Sequence, residues 1–356
     1  MNSIQIEPGI QFGDIKEFTR YLEYERINNH LPGVLNLVAT ISTFETINQF
    51  IESLESAGFV IEEQYGKLLS ISKRSKNDKI SYYAFFDDYN NIPLFLTDAN
   101  KTDEIPKTLF NYINKTRNIS NMWISPQVMK EIKDDLSIKY EDMIITYFSA
   151  QRGANTEARS ELRPHYERNV QYHGNDGKQT LEEMEYWYGV LPRILEIKLP
   201  TVAFKIDNKG IITLRSGRFG EIFSIIENVV GQLLELRDAI GKSSYSIRHI
   251  GKRHQFAHAI QRPWSIEMPV GLDIDEVPRF CNTLQNEDFT ILERVLLHGS
   301  MQFTARIIDD YTGSLFDIKT SGRKIDVFPV KQPDIGSSMR FYQFICENID
   351  NAAQVG

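Results

Sequence analysis

Three stretches of this chain share one side-chain pattern: residues 43–54 (TFETINQFIESL), residues 180–191 (TLEEMEYWYGVL) and residues 273–284 (DIDEVPRFCNTL). Each begins with Thr or Asp, which can cap the first turn of a helix, followed two positions later by an acidic residue that suits the helix dipole. Apolar residues then recur at the spacing of one helical face, and Phe50, Trp187 and Phe280 hold equivalent positions. The pattern therefore predicts an internal triplication, with Thr43, Thr180 and Asp273 as the three N-caps.

Strand-like segments surround each of these helices, so the pattern predicts an α+β chain of three tandem units, each ordered strand, helix, antiparallel strands, helix. The predicted organisation is a helical N-terminal arm (1–33), α+β unit 1 (34–118), a connector with a helix and a strand (119–168), α+β unit 2 (169–241), a basic connector (242–264), α+β unit 3 (265–350) and a tail (351–356). Pro278 falls inside the third helix if Asp273 is its cap, but in the first turn if the helix starts at Asp275.

Composition indicates a folded, cytoplasmic protein. The chain has 356 residues, of which 41% are apolar and 25% charged, and its net charge is −8. It contains no apolar run long enough to cross a membrane and no signal-peptide pattern at its start. The two cysteines, Cys281 and Cys346, are expected to be reduced, buried thiols.

The strongest charge asymmetry is the segment from Ala239 to Ile266, which contains no acidic residue. Its basic residues are Lys242, Arg248, Lys252, Arg253 and Arg262. Such a segment can bind nucleic-acid phosphates, with aromatic side chains nearby as stacking surfaces, or it can be a solvated connector or dock on an acidic neighbour. His254 and His258 are four residues apart, so on a helix they could share a metal ion, or they could make ordinary polar contacts.

A second candidate anion site lies between a predicted strand and the long helix of the middle unit. Arg215 and Arg218 flank Gly217 there, and the free N–H groups of a helix N-terminus attract anions. A plain strand-to-helix turn explains the same residues. Outward positions of the predicted strands mix the cations Lys198, Lys205 and Arg215 with the carboxylates Glu196 and Asp317, which gives a weaker positive surface than a dedicated DNA-binding sheet requires.

Asp310, Asp317 and Lys319 have the spacing D-x6-D-x-K across a predicted hairpin. This spacing resembles the PD-(D/E)xK nuclease family. The resemblance implies that Asp310 and Asp317 hold a divalent metal and that Lys319 assists the attacking water. Alternation of acidic and basic residues on the exposed face of a strand is the other interpretation.

The order of elements, and the stretch from Arg193 to Leu234 above all, resembles the half-repeat of TATA-box-binding proteins. The residues that carry the resemblance are Pro200, Phe204, Gly210, Thr213 and Gly217. It implies TBP-like or ferredoxin-like antiparallel sheets with helices on one face. It does not extend to TATA recognition, because the paired phenylalanines that wedge between base steps are absent.

The leading hypothesis is a cytoplasmic, non-catalytic protein that presents an open sheet and a basic connector to nucleic acid or to a nucleic-acid-handling protein, with no cofactor and no membrane. One alternative is the metal-dependent nuclease, whose cofactor would be a divalent metal. The other is a scaffold subunit of a larger complex. DNA and RNA stay equally open as ligands.

Overall fold

The computed structural model describes residues 6–7, 9–75, 78–152, 160–163, 166–250, 256–269, 271–272, 274–297 and 302–356; at 75, 248–250, 256–259, 274 and 297 only the backbone is described. These residues form eight α-helices and large antiparallel sheets, which confirms the predicted α+β class. The chain divides into two compact units. Unit one contains Met1–Arg152 and Ala158–Leu233, and unit two contains Leu234–Gly356.

Unit one holds eleven strands and most of the helices. Its strands are β1 (Leu35–Ser42), β2 (Val60–Tyr65), β3 (Leu68–Ser75), β4 (Asp78–Asp87), β5 (Ile92–Thr97), β6 (Ile119–Asn121), β7 (Ile144–Arg152), β8 (Arg168–His173), β9 (Leu191–Lys198), β10 (Val202–Asp207) and β11 (Ile211–Gly217). Its helices are α1 (Ile15–Ile27), α2 (Ile47–Ser56), α3 (Asn111–Lys115, after a π-helical turn at Pro106–Phe110), α4 (Pro126–Lys139), α5 (Gly177–Tyr188) and α6 (Gly220–Lys242), which ends in unit two.

Unit two is built from elements of the same kinds. Its strands are β12 (Ser244–Ile250), β13 (Phe256–Arg262), β14 (Trp264–Glu267), β15 (Phe289–Leu297), β16 (Gln302–Asp309), β17 (Leu315–Ser321), β18 (Lys324–Pro329) and β19 (Gln354–Val355). Its helices are α7 (Val277–Gln285, after a 3-10 turn at Ile274–Glu276) and α8 (Ile335–Asn348).

One sheet organises unit one. Its strands lie in the order β2-β3-β4-β5-β1-β11-β10-β9-β7-β8, with β6 paired to the end of β1, and every pair is antiparallel. Helices α2 and α3 cover one face of its first half, where Phe50 and Tyr112 pack on Tyr82, Phe86 and neighbouring side chains. The predicted arm at residues 1–33 includes α1, whose Phe18 is buried and stacks on Phe85 with ring centroids 5.8 Å apart. Because Phe85 alternates with Phe86 along β4, α1 lies on the opposite face.

The N-caps differ from two of the three predicted positions. Thr46 caps α2 by accepting from the Gln49 N–H, so Thr43 is not the cap; its own N–H instead bonds to the carbonyl of Asn118. Thr180 lies inside α5. Asp273 falls outside the described residues, and Pro278 sits in the first turn of α7, where its missing N–H costs no helical bond.

The first and last predicted units share their topology. After the opening strand and its helix, four strands form a meander whose last member returns to the opening strand, giving the orders β2-β3-β4-β5-β1 and β15-β16-β17-β18-β14. Both carry a bulge at the same place, between Ile61 and Glu63 and between Ile291 and Glu293, at a constant offset in residue number. A buried phenylalanine, Phe59 or Phe289, opens the meander in each.

The middle segment does not repeat that arrangement. There β7 separates β8 from β9, so the strand before the helix does not close a meander. Phe50 and Phe280 are 0% and 1% exposed, but Trp187 is 44% exposed. The three-unit prediction is therefore not confirmed, and the TATA-box-binding resemblance stays a prediction. None of the described helices is long and apolar enough to cross a membrane.

Candidate functional site

The acid-free segment forms a β-ribbon, defined here as β12 and β13. The two strands pair from Ser244 opposite Arg262 to Ile250 opposite Phe256, and neither pairs with another described strand. Helix α6 ends just before the ribbon, where the buried Ser243 hydroxyl donates to the carbonyl of Ile240 at 2.6 Å. The predicted connector at 242–264 is therefore largely regular structure.

Solvent reaches both faces of the ribbon. Ile247 and Ile260 are 53% and 46% exposed. Ile260 lies opposite Ser246 in the register, so it shares a face with Ser246 and not with Ile247. The ribbon thus exposes an apolar side chain on each face. Near its end, the Gln261 side chain donates a hydrogen bond to the carbonyl of Pro329 at 3.0 Å.

Two of the predicted cations, Arg248 and Arg262, lie in described parts of this ribbon. Arg248 lies in β12, Arg262 is exposed at the end of β13, and Lys252, Arg253 and His254 fall outside the described residues. His258 lies in β13, with its backbone opposite Arg248. The metal hypothesis assumed a helix, whereas residues on a strand follow a period of two, so the spacing of His254 and His258 gives no helical pair here.

A second surface lies on the second half of the unit-one sheet. Thr213, Lys205, Glu196, Tyr147 and His173 face one another across five neighbouring strands, from β11 to β8. The alternate positions on the same strands are buried apolar residues, for example Leu195, Ile197, Phe204 and Ile206. We call these five facing residues, together with the charged side chains beside them, the open sheet face.

Each of three cations on the open sheet face contacts one neighbour, either an aromatic ring or a carboxylate. The Lys205 ammonium lies 4.1 Å from the centre of the Tyr147 ring. Arg215 binds Glu196 at 3.1 Å, and Lys101 is 3.8 Å from Asp207. Lys198 is exposed on the same face, so the described side chains there carry more positive than negative charge.

Two pKa values on this face are displaced. Burial, followed by repulsion from Lys101, lowers the pKa of Lys205. Burial raises the pKa of Asp207, although Lys101 and the N–H groups of Ile211 and Lys209 favour its ionised form. The face therefore disfavours the charged forms of both groups.

The predicted anion site at the start of α6 contains one of the chain's own carboxylates. The Gly220 N–H donates to Glu23 at 3.2 Å, and the Arg218 N–H donates to the carbonyl of Thr201. Gly217 is required at this turn, since its φ is +92° and a Cβ would lie 2.1 Å from the Thr201 oxygen. Arg215 contributes to the open sheet face instead.

The proposed nuclease triplet is spread over a hairpin. Asp317 lies opposite Arg306 and binds it through two bonds of 2.8 and 3.1 Å. Asp310 lies four residues beyond Arg306, just past the end of β16, about 13 Å farther along the chain at ~3.3 Å per residue. Its side chain accepts from the Thr290 hydroxyl. Two ligands of one cation lie within about 5 Å of each other. Lys319 is exposed, and the described residues hold no group of three or more His, Cys, Asp or Glu suited to a metal.

Sequence reasoning missed the neighbouring Asp309. Its carboxylate is fully buried, forms an ion pair with Arg340 and accepts from the Thr312 hydroxyl at 2.7 Å. The Thr312 hydroxyl oxygen also lies 2.9 Å from a carboxylate oxygen of Asp334, which caps α8. The sequence did contain a signal for Asp309. Alternate residues of β16, namely Phe303, Ala305 and Ile307, are buried, and Asp309 is the next position in that alternation. A second missed group is Lys133, at an apolar position of α4, which binds Glu185 of α5 at 2.6 Å.

Two comparisons place the chain among known proteins. A protein-family model described as a family middle domain matches residues 127–209. A protein of Archaeoglobus fulgidus named "Uncharacterized protein" is 31% identical over 348 residues, covering 95% of this chain and 94% of the relative. The similarity therefore extends through both compact units.

Proposed function

The chain belongs to the same protein family as the Archaeoglobus fulgidus protein, and we propose that it is a non-catalytic nucleic-acid-binding protein whose binding arm is the β-ribbon of unit two. The observation that carries the proposal is that the acid-free segment forms a ribbon that pairs with no other described strand.

The charge distribution supports this function. The whole chain has a net charge of −8, yet residues 239–266 contain five Lys and Arg and no Asp or Glu. Lys and Arg replace condensed counterions on a phosphate backbone, and the release of those ions favours binding. A local basic element can supply this attraction although the chain as a whole is acidic.

The geometry of the ribbon supports it as well. The DNA major groove, about 12 Å wide, admits a two-stranded β-ribbon. Strands β12 and β13 form such a ribbon, and Ile247 and Ile260 show that both of its faces reach solvent. A groove can therefore receive the arm without displacing another strand. In this proposal Arg248, Lys252, Arg253 and Arg262 contact phosphates.

The test measures binding of the full chain to labelled duplex DNA, duplex RNA and single strands by fluorescence anisotropy, between about 50 and 200 mM salt, the range over which phosphate-binding proteins lose most affinity. We expect affinity to fall steeply with salt. The triple variant Arg248→Gln, Lys252→Gln, Arg253→Gln should weaken binding at least tenfold and reduce the salt slope by about 0.9 for each phosphate that is no longer neutralised.

The matched control removes three charges elsewhere, with Lys16→Gln, Arg20→Gln and Lys107→Gln, all exposed residues of unit one. It should retain most of the affinity. Absent or salt-insensitive binding, or equal losses of affinity in the two triple variants, would refute the proposal. A stable complex with another protein in place of nucleic acid would favour the scaffold alternative.

A further inference from the structure

Lys205 has an unusual position in the open sheet face. Its ammonium packs on Tyr147, and no carboxylate of the described residues lies within ion-pair distance, although Glu196 is its direct neighbour in the register. Glu196 is instead bound by Arg215. A half-buried lysine thus has its charge against an aromatic ring, with its hydrogen-bond donors unused among the described residues.

Two further cations border this ammonium. Lys101, in the loop after β5, and Arg215, in β11, both oppose the charged form of Lys205, whereas the nearby carboxylates Glu196 and Asp207 favour it. Each already has one carboxylate, Asp207 or Glu196, and the 3.8 Å separation of Lys101 from Asp207 is long for such a pair. Repulsion between three like charges is unfavourable unless an anion lies between them.

Hydrogen bonds and a ring contact hold the residues around Lys205 in position. The Thr213 hydroxyl donates to Asn36, and the Asn36 amide donates to the carbonyl of Ala99, both at 2.8 Å. These bonds hold the loop that carries Lys101 against the sheet. At the other side, Tyr147 contacts the exposed His173 ring, with centroids 4.5 Å apart.

We propose that the open sheet face binds the phosphate group of a ligand between Lys205, Lys101 and Arg215. The phosphate oxygens accept from the Lys205 ammonium and from the donors of its two neighbours, and the exposed His173 ring offers a surface to a base attached to that phosphate. The shared chemistry is a phosphate ester, supplied either by a free nucleotide or by a single-stranded nucleic acid.

The lowered pKa of Lys205 agrees with this assignment. Burial, followed by repulsion from Lys101, lowers this pKa, and a pKa displaced by burial together with a charged neighbour is common at functional sites. A lysine that served only to pack on Tyr147 would need neither neighbour, and the exposed Lys198 shows that this face can direct a cation to solvent.

The experiment titrates the full chain with inorganic phosphate, with AMP and with a short single-stranded oligonucleotide, using calorimetry and ³¹P NMR. We expect binding of at least one probe, weakened at least tenfold by Lys205→Gln and largely retained by Lys205→Arg. Lys16→Gln, an equal loss of charge at an exposed position of α1, should bind like the wild type. Lysine acetylation followed by mass spectrometry adds a direct measurement, since the bound probe should protect Lys205 and Lys101 together.

Binding of AMP would identify a nucleotide as the source of the phosphate, and binding of the oligonucleotide alone would identify a nucleic-acid strand. Absence of binding by all three probes, or equal binding by Lys205→Gln and the wild type with no protection of Lys205, would overturn the proposal. The ribbon variant of unit two should retain AMP binding, so the two proposals can fail separately.

Discussion

Burial at Asp207 shows how one residue couples the open sheet face to pH. Its carboxylate accepts from the N–H groups of Lys209 and Ile211 at 3.1 and 3.2 Å, closing the turn between β10 and β11. Burial raises its pKa above the ordinary value of 3.8. The folded chain therefore holds this proton more tightly than the unfolded chain.

The substitution Asp207→Asn tests that coupling. In the wild type this group contributes stability below its ordinary pKa, and the contribution is lost as pH rises through the raised pKa. The asparagine keeps an oxygen acceptor for the turn but does not titrate. We expect the free energy of unfolding of Asp207→Asn, relative to the wild type, to increase from pH 4 to pH 7 by about 1.4 kcal/mol for each unit of raised pKa.

Urea unfolding at several pH values measures this difference, with the exposed Asp142→Asn as control. A difference that stays constant with pH would contradict the raised pKa. The sequence did not single out Asp207, because its burial depends on the packing of Lys101 and the neighbouring strands.

At the scale of elements, a buried ion pair joins α4 to α5. Lys133 is 1% exposed and binds Glu185 at 2.6 Å and Asp134 at 3.1 Å. Burial raises the pKa of Glu185, while Lys133 lowers it. Replacing one member of this pair should therefore destabilise the fold more than replacing both.

We expect Lys133→Met to reduce the free energy of unfolding by about 3–5 kcal/mol, because Glu185 would lose its cation in a buried setting. The double variant Lys133→Met, Glu185→Leu should recover most of that loss. Lys130→Met, which removes an i,i+4 pair with Asp134 on the same helix, should cost only about 0.5 kcal/mol.

Chemical denaturation of the wild type and these three variants measures the differences. Equal destabilisation of the single and double variants would show that the charge pair is unimportant and that packing alone fixes the two helices. The periodicity of the sequence predicted α4 and α5 as helices, but not their pairing, since Lys133 and Glu185 are separated by 52 positions.

At the scale of the whole molecule, each compact unit has its own core and its own polar network. In unit two, Asp309 and Asp334 fasten the β16–β17 turn to α8 through Thr312 and Arg340. Asp309 is fully buried and forms an ion pair with Arg340, so a substitution that removes the Asp309 carboxylate breaks a buried ion pair.

The substitution Asp309→Ala should therefore accelerate amide hydrogen exchange in β16, β17 and α8 by at least tenfold, because local opening becomes easier. Exchange in β1, β4 and β5 of unit one should change much less. The exposed Asp310→Ala is the matched control and should leave both units nearly unaffected. Equal acceleration throughout the chain would instead indicate a single cooperative unit.

The types of the elements were largely determined by the sequence alone. Apolar periodicity and turn signals act within a few residues, so the sequence predicted the α+β class, the helical arm that contains α1, the helix of the connector (α4) and the long helix of the middle unit (α6). The acid-free segment and the outward set of Lys198, Lys205, Arg215, Glu196 and Asp317 were also visible as patterns.

Strand order and the assembled sites were decided only by the tertiary structure. The middle segment carries the same helical pattern as the outer two, yet β7 enters between β8 and β9 and Trp187 is exposed. Contacts such as Thr213 with Asn36, separated by 177 positions, depend on which strands pair. Local pattern cannot choose among pairings of similar apolar strands, because their relative energies come from long-range packing.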